Sequence, residues 1–169
     1  GDYVPIMKDG EVVQIGTPQE IVSQPADDYV SEFVKDVPRG QVIPVESVME
    51  QPPVLVNCEQ NLEETIERMR TKETMVAFVI DGDGRLKGIT TMEHAEVSLK
   101  RGLKKAGEAA QQEYPSTSPD TRLEQCLSLV AENDTPVAVL DEQKRLLGII
   151  TRKALIGAMK SGDNANNED

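Results

Sequence analysis

The side chains in this sequence that could do chemistry are few and scattered. His94 is the single histidine, and no nucleophile or second metal ligand stands near it, so it builds neither a catalytic triad nor a zinc site and reads as a surface histidine. Cys58 and Cys126 lie far apart, without the close pairing of a zinc site, and Cys126 sits at an apolar helical position among Leu123, Leu127 and Val130; both read as free thiols of a reducing compartment. The acidic pairs Glu63-Glu64 and Asp27-Asp28 fall on solvated helix faces or at helix starts, where negative charge suits the helix dipole, and nothing in their setting supports acid–base catalysis. Lys100, Arg101, Lys104 and Lys105 form the one dense basic cluster. Its simple reading is a solvated face. The alternative is an ionic-strength-sensitive patch on anionic lipid, each basic side chain contributing on the order of 1 kcal/mol near a charged leaflet and less as salt rises. The chemistry on offer is binding and regulation rather than catalysis.

The elements that must position these residues repeat. Leu62, Ile66 and Met69 make one apolar stripe of a helix within Asn61 to Lys72, and Leu123, Leu127 and Val130 make the same stripe within Thr121 to Asn133, 61 positions on. Each helix is followed by a buried strand, Val76 to Ile80 and Val137 to Leu140, and each strand ends at an aspartate. Asp81-Gly82-Asp83-Gly84 forms a tight turn, and Asp141-Glu142-Gln143-Lys144 reads as a shorter one that reduces the offset to 60. Then Leu86 to Thr91 matches Leu146 to Thr151, a strand that runs into a helix capped by Thr91 or Thr151. A leading strand, Val54 to Val56 or the stretch around Thr117, completes each unit. One unit is too small to bury both faces of its sheet, so the pattern predicts two units packed sheet to sheet with pseudo-twofold symmetry and a cleft between them.

Composition narrows the function classes. The 169 residues are 38% hydrophobic and 28% charged, in the globular range, but only 3% aromatic with no Trp, which leaves no stacking platform for bases. Thirty acidic against eighteen basic residues give a formal charge of −12, which repels a phosphate backbone; nucleic acid is not an expected partner. No apolar run approaches the length of a membrane span, and no signal-peptide pattern opens the chain.

The repeated Gly-h-h-Thr strand leading into a helix (h, hydrophobic), Gly88-Ile89-Thr90-Thr91 and Gly148-Ile149-Ile150-Thr151, together with the order of elements, resembles a tandem CBS-domain pair over about Val45 to Lys160. The string Ile6 to Ile21, a hairpin with an Asp9-Gly10 turn and a helix opened by Thr17-Pro18, resembles the end of an ABC-transporter ATPase domain, and Pro25 to Val30 resembles its continuation in osmoprotectant importers. The resemblance therefore implies an α/β (α+β) fold divided into residues 1–40, the remnant of the ATPase domain, 41–110 and 111–160, the two CBS units, and 161–169, a polar acidic tail without periodicity that is expected to be disordered. No G-x-x-x-x-G-K-[ST] loop, signature sequence or magnesium-site acidic pair is present in this stretch. It is expected not to hydrolyse ATP, while the full-length subunit of such an importer uses ATP and magnesium.

The resemblance also singles out residues. CBS pairs that bind adenosine nucleotides hold phosphate with a Thr or Ser at the head of the last helix and ribose with an Asp three positions later. Thr91 and Thr151 fill the first position, but His94 and Ala154 replace the Asp, so the usual ribose contact is lost in both copies. Arg152 directly follows Thr151 at a helix start, where a guanidinium meets a phosphate bidentately, and Ile149 and Val137 are expected to supply an apolar wall. The implied regulator is cyclic di-AMP or another adenine nucleotide. The implied partners are a second copy through the CBS units, the importer permease and its substrate-binding protein, on the cytoplasmic face of the membrane. A ligand-free dimerisation appendix of the same subunit stays open.

Overall fold

The computed structural model describes residues 2–160; the tail expected over 161–169 lies outside the described residues. The chain opens with antiparallel strands β1 (Val4–Lys8) and β2 (Glu11–Gly16). The two-residue turn between them holds Asp9 and Gly10 at φ of 52° and 81°, the geometry that matches strand twist. Thr17 caps α1 (Pro18–Ser23): its hydroxyl accepts from the Glu20 N–H at 3.2 Å, and the Glu20 carboxylate accepts from the Thr17 N–H at 2.8 Å. Asp27 caps α2 (Asp28–Val34) in the same way, accepting from the Val30 N–H at 2.9 Å. Ile6, Ile21 and Val30 form a small core beneath this segment, and α3 (Arg39–Val42) leads out of it.

Two like units follow. The first is β3 (Leu55–Asn57), α4 (Leu62–Thr71), β4 (Val76–Ile80), β5 (Leu86–Thr91) and α5 (Met92–Lys100). The second is β6 (Ser116–Thr117), α6 (Leu123–Glu132), β7 (Val137–Leu140), β8 (Leu146–Ile150) and α7 (Arg152–Lys160). In each three-stranded sheet the helix crossover makes the first two strands parallel and the tight turn makes the last two antiparallel. Leu62, Ile66 and Met69 are buried as their spacing predicts. In α6 the stripe is instead Leu123, Cys126 and Val130, while Leu127 is 38% exposed. Cys126, three residues after Leu123, takes the sheet-facing position, and α6 turns Leu127 outward.

The strand registers also relocate the residue lost between the copies. Gly88 pairs with Val79 and Gly148 with Val139, so the offset is already 60 in the central strands. The two turns have the same length. Each aspartate accepts two backbone N–H groups, Asp81 those of Asp83 and Arg85 at 2.9 and 3.0 Å, Asp141 those of Gln143 and Arg145 at 2.8 and 2.9 Å. Gly84 and Lys144 occupy the same left-handed position, at φ of 81° and 63°. The missing residue belongs to the connection from α6 to β7, not to the turn.

Side chains alternate across each sheet. Val76, Phe78, Leu86 and Ile89 of the first meet Ala138 and Ile149 of the second, which is the predicted sheet-to-sheet packing. Phe78 is 1% exposed, and its burial contributes roughly 2–3 kcal/mol. Ala77 and Val79 point the other way, toward Val54, Val56 and Met69. The chain also crosses between units. Glu50 exchanges two backbone hydrogen bonds with Ile149, at 3.0 and 2.8 Å, and Gln111 exchanges two with Ile89, at 3.0 and 2.7 Å. Ile43 and Val45 lie in the core of the second unit, and Ala106 and Ala109 in cores of the first. Each sheet is thus completed by the segment that precedes the other unit's own strands.

This crossing accounts for the glycine of the repeated motif. A Cβ on Gly88 would lie 2.5 Å from the Gln111 carbonyl oxygen, and one on Gly148 3.0 Å from Met49 and 3.1 Å from the Glu50 carbonyl oxygen. The glycines are where the partner segment lies against the strand.

Candidate ligand cleft of the second unit

The strand β8 ends where α7 begins, and that junction delivers Thr151 and Arg152. The Thr151 hydroxyl accepts from the Ala154 N–H at 3.1 Å, and at the equivalent junction Thr91 accepts from the His94 N–H at 3.2 Å. The residues in place of the nucleotide-binding Asp therefore present their backbone to the capping threonine. The Arg152 guanidinium reaches back across 22 residues to donate to the Val130 carbonyl at 3.2 Å. It meets an α6 carbonyl near the end of that helix, where the dipole is negative, and this bond uses one of its five N–H donors.

Beside Arg152 lies a cleft of about 340 Å³, lined by Val130, Asn133, Asp134, Thr135 and Pro136 on one side and by Ile150 to Lys153 on the other. Its size falls at the lower end of ordinary small-ligand sites. Thr151 and Arg152 are brought together here, with Lys153 adding a second cation. The expected apolar wall of Ile149 and Val137 is corrected. Both are fully buried, Val137 facing the helix-side core and Ile149 the core between the sheets, because Val137 shares a face with its partner Ile150, and Ile149, the residue before Ile150 on β8, points to the opposite face. Pro136, half-buried, is an apolar side chain at the edge of the cleft. Thr91 heads α5 in the other unit and does not share this cleft.

The connection from Asn133 to Pro136 was not among the residues expected at a site. The signal for it was in the repeat, since the copies lose register between their helix and central strand, at this connection.

Lys100, Arg101, Lys104 and Lys105 are exposed, and carboxylates lie beside three of them, Lys100, Lys104 and Lys105. The Lys105 ammonium pairs with Glu59, which raises its pKa, while Glu108 accepts the Lys104 and Lys105 N–H groups at 3.0 and 2.9 Å and is itself held below its ordinary value by those bonds. Lys100 borders a groove shared with Glu63, Glu64, Glu67 and Glu96. These carboxylates offset part of the cluster's positive charge. Cys126 is buried, which pushes its thiol pKa up and keeps it protonated, and Cys58 is half-buried. No helix among the described residues is long and apolar enough to cross a membrane.

The family model for the CBS domain matches residues 45–95 and again 106–161. The glycine betaine/carnitine transport ATP-binding protein of Listeria monocytogenes is 32% identical over 166 residues, which is 98% of this chain and 41% of that relative. The chain thus spans about two fifths of the length of that curated relative. Among solved structures, OpuCA of Staphylococcus aureus is similar at 27% identity and a TM-score of 0.60, covering 68% of this chain and 97% of that one. CBSX2 of Arabidopsis thaliana, solved in complex with AMP, shares the fold at a TM-score of 0.59 and 21% identity, over 68% of this chain and 94% of its own.

Proposed function

The chain belongs to the CBS-domain family, and from that premise we propose that it is the regulatory module of the ATP-binding subunit of an osmoprotectant ABC importer of the glycine betaine type. One observation carries this reading. The similarity to the Listeria transport protein runs through 98% of the chain, and so includes the hairpin and helices before residue 45 that the CBS domain model does not cover. That leading segment is the end of the ATPase domain, and the pair that follows senses a cytoplasmic signal as a homodimer. The module itself performs no hydrolysis. In the complete importer it sits on the cytoplasmic face with the permease and the substrate-binding protein, and it biases the ATPase between two arrangements by binding its ligand unequally in them.

The ligand is a cyclic adenine dinucleotide held at the second cleft. A phosphate there meets the free N–H groups at the start of α7, the remaining donors of Arg152 and the Lys153 ammonium, while Pro136 offers apolar contact. AMP in the complex of CBSX2 supports the general class of ligand. A thermal-shift series with cyclic di-AMP, cyclic di-GMP, AMP and ATP tests this. Cyclic di-AMP at about 100 times its dissociation constant adds roughly 2.7 kcal/mol and raises Tm by several degrees. Arg152→Ala weakens binding by about tenfold or more, the loss of one charge-assisted hydrogen bond. Unchanged affinity in Arg152→Ala overturns the site, and no shift with any of the four nucleotides overturns the ligand class and leaves a dimerising scaffold.

A further inference from the structure

The closing helices of the two units are not equivalent in what they are attached to. We propose that α7 links the cleft of the second unit to the segment preceding the pair, with Arg39 as the positioning residue, and that α5 of the first unit has no such link.

The helix α7 starts in the cleft, with Thr151 capping it and Arg152 and Lys153 on its first turn. Near its other end the Ala158 carbonyl accepts from Arg39 Nε at 3.1 Å, a contact between residues 119 positions apart. Beside it, a Cβ on Gly40 would lie 3.1 Å from Met159 Cε and 3.3 Å from Glu124 Cβ, so α3 is seated closely on both α6 and α7. The same segment is tied to the second unit along its length. The Leu123 N–H donates to the Ile43 carbonyl at 3.0 Å, the Val45 N–H to the Thr121 carbonyl at 2.8 Å, and Arg122 to the Val42 carbonyl at 3.2 Å. On its far side Val42 closes an apolar hollow with Ile6, Ile21 and Val34, and Gln19 donates to Ser47. α3 is therefore gripped between α7 and the leading hairpin segment.

The first unit has its own counterpart of this clasp, but it is the linker between the units. The Leu62 N–H donates to the Lys104 carbonyl at 2.8 Å, Ala106 to Gln60 at 2.8 Å and Gly107 to Cys58 at 2.9 Å. A shift of α5 acts on that linker, and a shift of α7 acts on α3. Because coupling is reciprocal, whatever holds the leading segment also sets the pose of α7 and the affinity of its cleft. This inference takes its regulatory meaning from the ligand reading above, but the mechanical link is tested without any ligand.

Amide hydrogen exchange on the full chain decides it. Thr151→Ala removes the α7 cap and is expected to speed exchange through α7 and, about five-fold, at Ile43 and Val45. Thr91→Ala removes the equivalent cap of α5 and is expected to leave Ile43 and Val45 unchanged. In an Arg39→Ala background, Thr151→Ala no longer moves Ile43. The proposal is overturned if Thr151→Ala leaves Ile43 at its wild-type rate, or if Thr91→Ala speeds it equally. Should Thr151→Ala not fold, cyclic di-AMP added to the wild type replaces it: slowed exchange at residues 133–136 and 150–155 without slowing at Ile43 sinks the link. Absence of any binding sinks the ligand reading alone, and Arg39→Ala then decides the link by whether it speeds exchange within α7.

Discussion

Aspartates at the two turns show how a short polar residue sets local structure. Asp81 and Asp141 each accept two backbone N–H bonds, and Asp141 also pairs with Arg145 at 2.8 Å. The bond from the Arg85 N–H is the main cause holding the Asp81 carboxyl below its ordinary value, and the bond from the Arg145 N–H does the same for Asp141. A depressed folded pKa gives a contribution that is present above the unfolded value, near 4, and is lost as pH falls through the folded value. Urea midpoints measured downward from pH 6 are therefore expected to decline below about pH 4. The double substitution Asp81→Asn with Asp141→Asn should flatten that decline, and a wild-type profile level to pH 3 would contradict it. The turn pattern was legible in the sequence for the first unit, where glycines mark it. In the second, Lys144 takes the left-handed position, and only the structure shows the equivalence.

Among the elements, the strands β5 and β8 illustrate why one glycine recurs. Gly88 lies where the Gln111 carbonyl would be 2.5 Å from a new Cβ, a contact with backbone that has no flexible end to move. Gly157, in the middle of α7, has nothing within 4 Å of the same position. The same substitution should then have opposite signs. Gly88→Ala is expected to destabilise by roughly 1–3 kcal/mol through overpacking, and Gly157→Ala to stabilise by about 0.5–1 kcal/mol through helix propensity. Chemical denaturation of the two variants reads both, and stabilisation by Gly88→Ala would contradict the crossing as the reason for the motif. The repeat itself was visible from the helix stripes. The α6 stripe was read one residue off at Leu127 because a cysteine and a leucine compete for the inward position, and packing against β7 decides between them.

For the molecule as a whole, the exchange of segments makes the two units one cooperative body. Glu50 completes the second sheet and Gln111 the first, and the tips pair as well, the Leu86 N–H with the Lys144 carbonyl and the Leu146 N–H with the Gly84 carbonyl, each at 3.0 Å. Losing one unit removes a strand partner and core side chains from the other. Unfolding is expected as a single transition, with protection of Val56 in the first unit and Val139 in the second lost at the same denaturant concentration. Two separated midpoints would show that the crossed segments do not couple them.

The sequence by itself determined the repeat, the order of its elements, the capping threonines, the leading hairpin and the sheet-to-sheet architecture, because these follow from periodicity and turn chemistry acting over a few residues. Only the tertiary structure decided which side chains meet. It placed Val137 and Ile149 in two different cores, put the Asn133 to Pro136 connection opposite Arg152, and seated α3 on α7. Those contacts join residues from about twenty to more than a hundred positions apart, and they depend on strand register and on which segment crosses to which sheet, quantities that no local pattern encodes.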